Sequence, residues 1–285
     1  IFFYMIVWLA SYPKSGNTWI RSFIYSLLFS KDGNPKLNEL HQINLFPSVN
    51  LLKTFVKDFK SINEIKSNWI TGQEAINLNN KITFLKTHHA LCTIGKDTFT
   101  NIHNTAGVIY IVRDPRSVIT SIKYHYSLRD YLDAKKFLFD RFKKIGFLRD
   151  NIKNNEVCAF IGSWKDNYNS WKKFQKNYLI LKYENLLNNP KDEFRKLTFF
   201  LKNNLKLNFN EEKIDEIIKL NSFENLKKQE EIQGFDESVE DKNTGKIKKF
   251  FNLGPKNDWK NLLDDKIRKE IENKFEQEMI ELGYL

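Results

Sequence analysis

The sequence predicts an α/β fold built on a central parallel sheet, and three stretches carry that prediction. Met5 to Ala10 is a short apolar run. The turn Ser11-Tyr12-Pro13-Lys14-Ser15-Gly16-Asn17-Thr18-Trp19 follows, and Ile20, Phe23, Ile24, Leu27 and Leu28 then recur at helical spacing. That order reads as buried strand, tight loop, helix start. Val108 to Val112 is apolar without alternation, as expected of a strand covered on both faces, and Arg113 to Ser117, with Pro115, opens a helix behind it. Tyr178 to Tyr183 repeats the pattern, with a further helix opening at Pro190.

The first turn is an anion cradle by its chemistry. Its Ser, Gly and Thr suit backbone amides that face an anion, and the following helix adds a partial positive charge at its N-terminus. Lys14 adds a full charge on a long stem. The motif of triphosphate-binding loops is Gly-x-x-x-x-Gly-Lys-Ser/Thr. Here Gly16 and Thr18 match it, Ser11 replaces the first glycine, Asn17 replaces the lysine, and the lysine stands at position 14.

Composition bounds the rest. The chain has 285 residues, 41% of them apolar, enough for one sizeable core and a single domain over residues 1–285. The net charge of +11 fits anionic ligands, nucleic acid or an acidic surface, but the lysines are spread along the chain rather than focused in a patch. Two cysteines, Cys92 and Cys158, make no disulfide framework, so a reduced, cytoplasmic setting is the expectation. The opening apolar run is too short to span a bilayer and lacks the basic flank of a signal peptide, and Met5 reads as an alternative start.

In order along the chain, Lys31 to Asn50 reads as a loop with little regular structure, and Leu51 to Ile76 as mainly helical. Lys81 to His88 is the next strand, ending in Lys86-Thr87-His88-His89. Open α/β sheets gather their chemistry at the carboxyl ends of strands. A histidine there can take a proton from a hydroxyl near neutral pH. Arg113 and Ser121, at a strand end and the second helical turn behind it, can grip one phosphate, for which arginine offers a planar fork. Asp114 offers a carboxylate that suits magnesium. Lys123 to Asn155 is largely helical in pattern, with Tyr124, His125 and Tyr126 either reaching an acceptor pocket or packing in the core. Trp164 and Trp171 form a packing stripe. Glu193 to Leu201, Glu211 to Leu220 and Asp264 to Leu282 read as amphipathic helices, and Glu230 to Lys249 as a mobile loop or lid, about residues 230–250.

Tyr-Pro-Lys-Ser-Gly-Asn-Thr-Trp after a strand resembles the 5′-phosphosulfate loop of the sulfotransferases that use 3′-phosphoadenosine 5′-phosphosulfate (PAPS), of the cytosolic, bacterial-like type. Lys86-Thr87-His88 resembles that family's strand-end motif, which makes His88 the candidate base and Lys86 its helper. Arg113 with Pro115 and Ser121 resembles its 3′-phosphate motif. Lys14 and Ser121 complete the implied catalytic set, with Ser121 holding Lys14 aside until the acceptor arrives. Tyr183, Trp19 and Phe223 are implied at the adenine, with Asn221 where threonine is usual.

Asn252 to Lys260 resembles the closing motif Arg-Lys-Gly-x-x-Gly-Asp-Trp-Lys. Gly254, Asp258, Trp259 and Lys260 match, while Asn252-Leu253 replaces the Arg-Lys pair and Asn257 the second Gly. Two charges toward the 3′-phosphate are therefore missing, with Lys248, Lys249 or Lys256 as substitutes. The last helix lacks the family's short dimerisation pattern, which leaves monomer or dimer open.

The resemblance implies a P-loop NTPase-like three-layer fold with a central parallel sheet and helical additions. It implies donor binding through Lys14, Ser15, Gly16, Asn17, Thr18, Trp19, Arg113, Ser121, Tyr183, Phe223, Asn252, Leu253 and Gly254. The implied reaction moves a sulfuryl group to a hydroxyl or amine of a small molecule, glycan or lipid, leaving adenosine 3′,5′-bisphosphate (PAP), with no metal, nucleic acid or membrane span. Three rival readings stand beside it. A P-loop small-molecule kinase needs a lysine at position 17. A nucleic-acid-binding protein needs a clustered basic face. A non-catalytic nucleotide binder is suggested by the Asn252-Leu253 replacement.

Overall fold

The computed structural model describes residues 5–146, 155–174, 176–241 and 244–285. The predicted strands become β1 (Ile6–Ser11), β2 (Thr83–Thr87), β3 (Thr105–Val112) and β4 (Tyr178–Lys182). They form one all-parallel sheet in the order β2-β1-β3-β4. Every residue of β1 and β3 is buried, which explains why neither run alternates.

Side chains leave a strand on alternate sides, and this periodicity divides the core in two. Trp8, Ala10, Val108 and Tyr110 pack on one face, against α2 (Pro115–His125), α3 (Trp164–Lys172) and α6 (Asp265–Glu281). Val7, Leu9, Ile109 and Ile111 pack on the other, against α1 (Asn17–Leu28) and α4 (Pro190–Asn203), with Leu226 of α5 (Phe223–Gln233) joining them. The result is helix, sheet, helix. No helix among the described residues is long and apolar enough to cross a membrane.

The tryptophan stripe of α3 does more than pack. The Trp164 indole N–H donates to the Arg113 carbonyl at 3.1 Å, and that of Trp171 to the His89 carbonyl at 2.8 Å. The helix thus holds the carbonyls that follow β3 and β2.

Two stretches depart from the sequence reading. Residues 31–50 contain a 3₁₀ helix, Leu37–Gln42, whose Leu37 and Leu40 are buried under α1. Two apolar residues three apart were enough to order a turn inside a polar segment. The region 123–155 is helical only to His125 and again over Tyr131–Phe139; Lys144–Ile145 then pairs antiparallel with Ala159–Phe160. Residues 147–154 of that region, like 1–4, lie outside the described residues.

Trp8 sits at the centre of the larger core half, fully buried. Its ring lies 5.6, 5.3 and 6.2 Å from those of Phe46, Phe99 and Trp171, and its N–H donates to Thr105 Oγ1 at 3.0 Å. Trp8→Ala is expected to cost about 3–5 kcal/mol, read as a lower denaturant midpoint at unchanged slope.

Candidate active site

Because β2, β1 and β3 run parallel and adjacent, their carboxyl ends open together into one cleft of about 860 Å³. Lys14, His88 and Arg113 each follow one of these strands and line that cleft.

The loop after β1 has the conformation its composition suggests. Gly16 has φ +100° and caps α1 without any side-chain hydrogen bond. A β-carbon there would stand 2.6 Å from Tyr183 Cδ2, so only glycine fits. The uncapped start of α1 leaves amide donors for an anion. Asn17 lines the cleft but serves the loop, its Nδ2 donating to the Leu9 carbonyl at 2.9 Å and Ser11 Oγ at 3.2 Å. Ser15 is buried away from the cleft wall, and its Oγ has no partner among the described residues.

Lys14 is half-buried. Its Nζ donates to His125 Nδ1 at 3.4 Å and lies 4.1 Å over the Phe250 ring. Burial, and then the neighbouring Lys86 and Arg113, pull its pKa down to about 7, with Glu237 opposing them. The sequence reading pairs Lys14 with Ser121. In the structure His125 holds the ammonium, and Ser121 Oγ instead accepts from Arg113 Nη1 at 3.3 Å and from Asn257 Nδ2 at 3.1 Å.

His88 Nδ1 lies 2.9 Å from the Ser11 carbonyl. A carbonyl can only accept, so that nitrogen carries the proton and Nε2 is the free base. Ser11 Oγ lies 3.2 Å from the same Nδ1, and Asn167 Nδ2 donates to the His88 carbonyl at 3.0 Å. Burial, and then Lys86, pull the His88 pKa down to about 3, so the ring is neutral. His89 is not on the cleft wall; it is fully buried, stacked 4.1 Å from the Phe99 ring.

Lys86 Nζ pairs with Glu237 Oε2 at 3.0 Å, and Glu237 Oε1 pairs with Arg21 Nη1 at 2.5 Å. Burial pushes the Glu237 carboxyl up, but Arg21 and Lys86 outweigh it and hold the group well below the usual carboxylate range. Arg21 also donates to the Leu40 carbonyl at 3.0 Å, which ties in the 3₁₀ helix.

The Arg113 guanidinium carbon sits over the Tyr183 ring, 4.1 Å from its centroid, and Nη1 donates to the Lys14 carbonyl at 3.2 Å. Its buried Nε has no partner among the described residues. Asp114 is engaged: it caps α2 through the Arg116 amide at 2.8 Å and pairs with the Arg116 side chain at 2.7 Å, which is unlike a carboxylate held ready for magnesium.

Trp19, Tyr183, Phe223, Asn252, Leu253 and Gly254 line the wall beyond Arg113. The Trp19 N–H donates to the Asn221 carbonyl at 2.6 Å, and its ring meets Tyr183 edge-on at 5.9 Å. A β-carbon on Gly254 would stand 2.1 Å from Phe223 Cζ. Of the three lysines read as substitutes, Lys248 and Lys249 line the same cleft but are already engaged, and Lys256 does not line it. Lys248 bonds the Tyr124 carbonyl at 2.5 Å and Asp241 at 2.9 Å, Lys249 pairs with Glu231 at 2.8 Å, and Lys256 is exposed.

Arg21 and Glu237 were not singled out from the sequence; each sits in a stretch whose composition is ordinary for a helix or a polar loop, and only the packing gives it a partner. From the sequence, His125 reads as reaching an acceptor pocket or packing in the core, and Asn257 only as a replacement in the closing motif; the structure places them against Lys14 and Ser121. Glu237→Gln is expected to lower stability on the order of 3 kcal/mol by leaving two buried cations without their anion. A denaturant titration showing less than about 0.5 kcal/mol would mean that solvent already screens the pair.

Comparison with known proteins places this arrangement. The family model described as "Sulfotransferase domain" matches residues 6–283. Sulfotransferase 1B1 of Canis lupus familiaris is 28% identical over 221 residues, covering 77% of this chain and 65% of that protein. Luciferin sulfotransferase of Photinus pyralis is 30% identical over 224 residues, covering 76% of this chain and 55% of that protein. Flavonol 3-sulfotransferase of Flaveria bidentis is 25% identical over 283 residues, covering 96% and 81%. The chain thus spans less than two thirds of the length of the first two. Among solved structures, mouse sulfotransferase SULT7A1 complexed with PAP gives a TM-score of 0.59 at 18% identity, covering 98% of this chain and 86% of that one. Retinol dehydratase in a complex with retinol and PAP also gives 0.59, at 14% identity, covering 98% and 82%. These structures share the P-loop-like three-layer fold. With a parallel sheet, an uncapped helix start after β1 and a family match over nearly its whole length, the chain belongs to the sulfotransferase domain family.

Proposed function

We propose that this chain transfers a sulfuryl group from PAPS to a hydroxyl or amine acceptor. The observation that carries the reading is the His88 tautomer: a neutral ring with Nδ1–H tied to the Ser11 carbonyl and Nε2 free, in the same cleft as Lys14 and Lys86. The residues fit the donor at both ends. The open start of α1, Lys14 and Lys86 suit the phosphosulfate, Arg113 and Ser121 the 3′-phosphate, and Trp19, Tyr183 and Phe223 the adenine. The unpartnered Arg113 Nε is a buried polar atom on the cleft wall that a bound anion would satisfy. Asn252 and Leu253 supply no charge there. Relatives named for luciferin and a flavonol, and a neighbour solved with retinol, support a small-molecule acceptor.

Bound PAPS supplies the activated sulfuryl group, and PAP leaves. His88 Nε2 takes the acceptor's proton, a contribution of roughly 10²–10⁴-fold. Lys14 and the α1 amides meet the charge that builds on the leaving oxygen of an in-line transfer, and losing one such donor costs on the order of 3 kcal/mol. Lys86 faces the transferred group and keeps Glu237 as its counter-ion. An anion between the lysines offsets the Lys86 repulsion that depresses His88, so Nε2 becomes a stronger base when the site is filled. Residues 1–285 act as one domain, and the segment about 230–250, which carries Glu237 and Phe250, covers the cleft.

His88→Ala is expected to reduce sulfuryl transfer from PAPS by about 10²–10⁴-fold while calorimetric PAP binding stays within a few-fold. A near-normal rate across a mixed pool of acceptors would remove His88 from the base role. Lys14 gives a pH test. Its free pKa is depressed to about 7, and a bound anion raises it again, so binding takes up a proton above that pH. PAP affinity should therefore decline as pH rises from about 7 to 9, by at most about tenfold per unit. Titrations in buffers of different ionisation enthalpy should show the uptake. A flat profile in that window would mean that Lys14 is not at the anion.

A further inference from the structure

Asn257 stands where the closing motif carries glycine, between the turn Gly254–Lys256 and the short helix Trp259–Leu262. The residue is 9% exposed, and its side chain turns onto α2. Nδ2 donates to the Ser117 carbonyl at 3.0 Å and to Ser121 Oγ at 3.1 Å, and Oδ1 accepts from Thr120 Oγ1 at 2.6 Å. The amide cannot be flipped without loss, because the Ser117 carbonyl only accepts and must face the NH₂ group.

This settles what Ser121 can do. A serine hydroxyl has one hydrogen to donate and two lone pairs. Both lone pairs of Ser121 are taken, one by Asn257 Nδ2 and one by Arg113 Nη1 at 3.3 Å. The usual retreat of a helical serine is to donate to the carbonyl four residues back. For Ser121 that carbonyl is Ser117, whose two lone pairs are already met by the Ser121 amide of the helix ladder and by Asn257 Nδ2. The hydroxyl hydrogen is left for an acceptor in the cleft that Ser121 lines.

We propose that Asn257 is a positioning residue that makes Ser121 a committed hydrogen-bond donor to the anionic oxygen held beside Arg113. Resting on the donor reading above, that oxygen belongs to the 3′-phosphate. A directed neutral donor thereby takes over part of the recognition that the absent charges at Asn252 and Leu253 do not supply.

The test is calorimetric titration of the whole chain with PAP and with 5′-AMP, which lacks the 3′-phosphate. The wild-type chain should prefer PAP. Asn257→Ala should weaken PAP about tenfold, the scale of one hydrogen bond to a charged group, and leave 5′-AMP within about twofold. Asn257→Asp keeps the bond from Thr120 but replaces the donor by a carboxylate that captures the Ser121 hydrogen, so its PAP loss should be larger still. Retained 5′-AMP binding shows that either variant is folded. If PAP and 5′-AMP weaken together, Asn257 merely holds the fold and the inference fails. If the wild-type preference for PAP survives in both variants, the inference alone fails. A wild-type chain that binds the two ligands alike overturns the donor reading and this inference with it.

Discussion

Parallel pairing of β1 between β2 and β3 is the constraint on which the rest of the structure depends. It places Ala10 beside Thr87 and Ser11 beside Ile111, so the three strands end side by side. From there the chain needs only one more residue to reach His88 and Arg113, and three to reach Lys14. The bond from His88 Nδ1 to the Ser11 carbonyl is a direct product of that register. Had β1 run antiparallel to β2, the loop after β1 and His88 would lie at opposite ends of the sheet.

The same convergence creates an electrostatic problem. Lys14, Arg21, Lys86 and Arg113 all line one cleft, in surroundings that strip away water. Such a cluster is costly unless anions answer it. Glu237 answers part of it, bridging Arg21 and Lys86 from a segment far along the chain. The remainder is left unbalanced, and the pKa of Lys14 is depressed by burial first and by Lys86 and Arg113 after it. A site that is electrostatically incomplete when empty is suited to an anionic ligand, because binding relieves the repulsion that folding imposed.

Positioning falls to residues with no chemistry of their own. Trp164 and Trp171 hold the carbonyls of Arg113 and His89, Asn167 holds that of His88, and Asn257 sets the polarity of Ser121. Glu230, buried in α5, accepts from the Phe250 and Phe251 amides and so carries Phe250 over Lys14. These side chains are spread along much of the chain, and each acts through one to three hydrogen bonds.

How much of this was legible beforehand follows from what each signal depends on. The strands were readable because burial on both faces demands continuous apolar runs, and β1, β3 and β4 have them. The cradle was readable because a tight turn into a helix restricts residue choice over adjacent positions, as at Gly16. His88 and Arg113 stood out by lying at strand ends. The 3₁₀ helix at Leu37–Gln42 and the short strand at Lys144–Ile145 were not readable, since two or three residues carry too little periodicity. Arg21, Glu237 and Asn257 were not readable either: a lone polar residue gains meaning only from a partner up to 216 positions away, as Arg21 does from Glu237. The sequence by itself determined the sheet and which polar side chains stand at its strand ends, because these rest on local burial and turn geometry. Tertiary structure alone decided that His125 holds Lys14, that Glu237 neutralises Lys86 and that Ser121 is left as a donor, because each of these depends on which side chains meet across the fold.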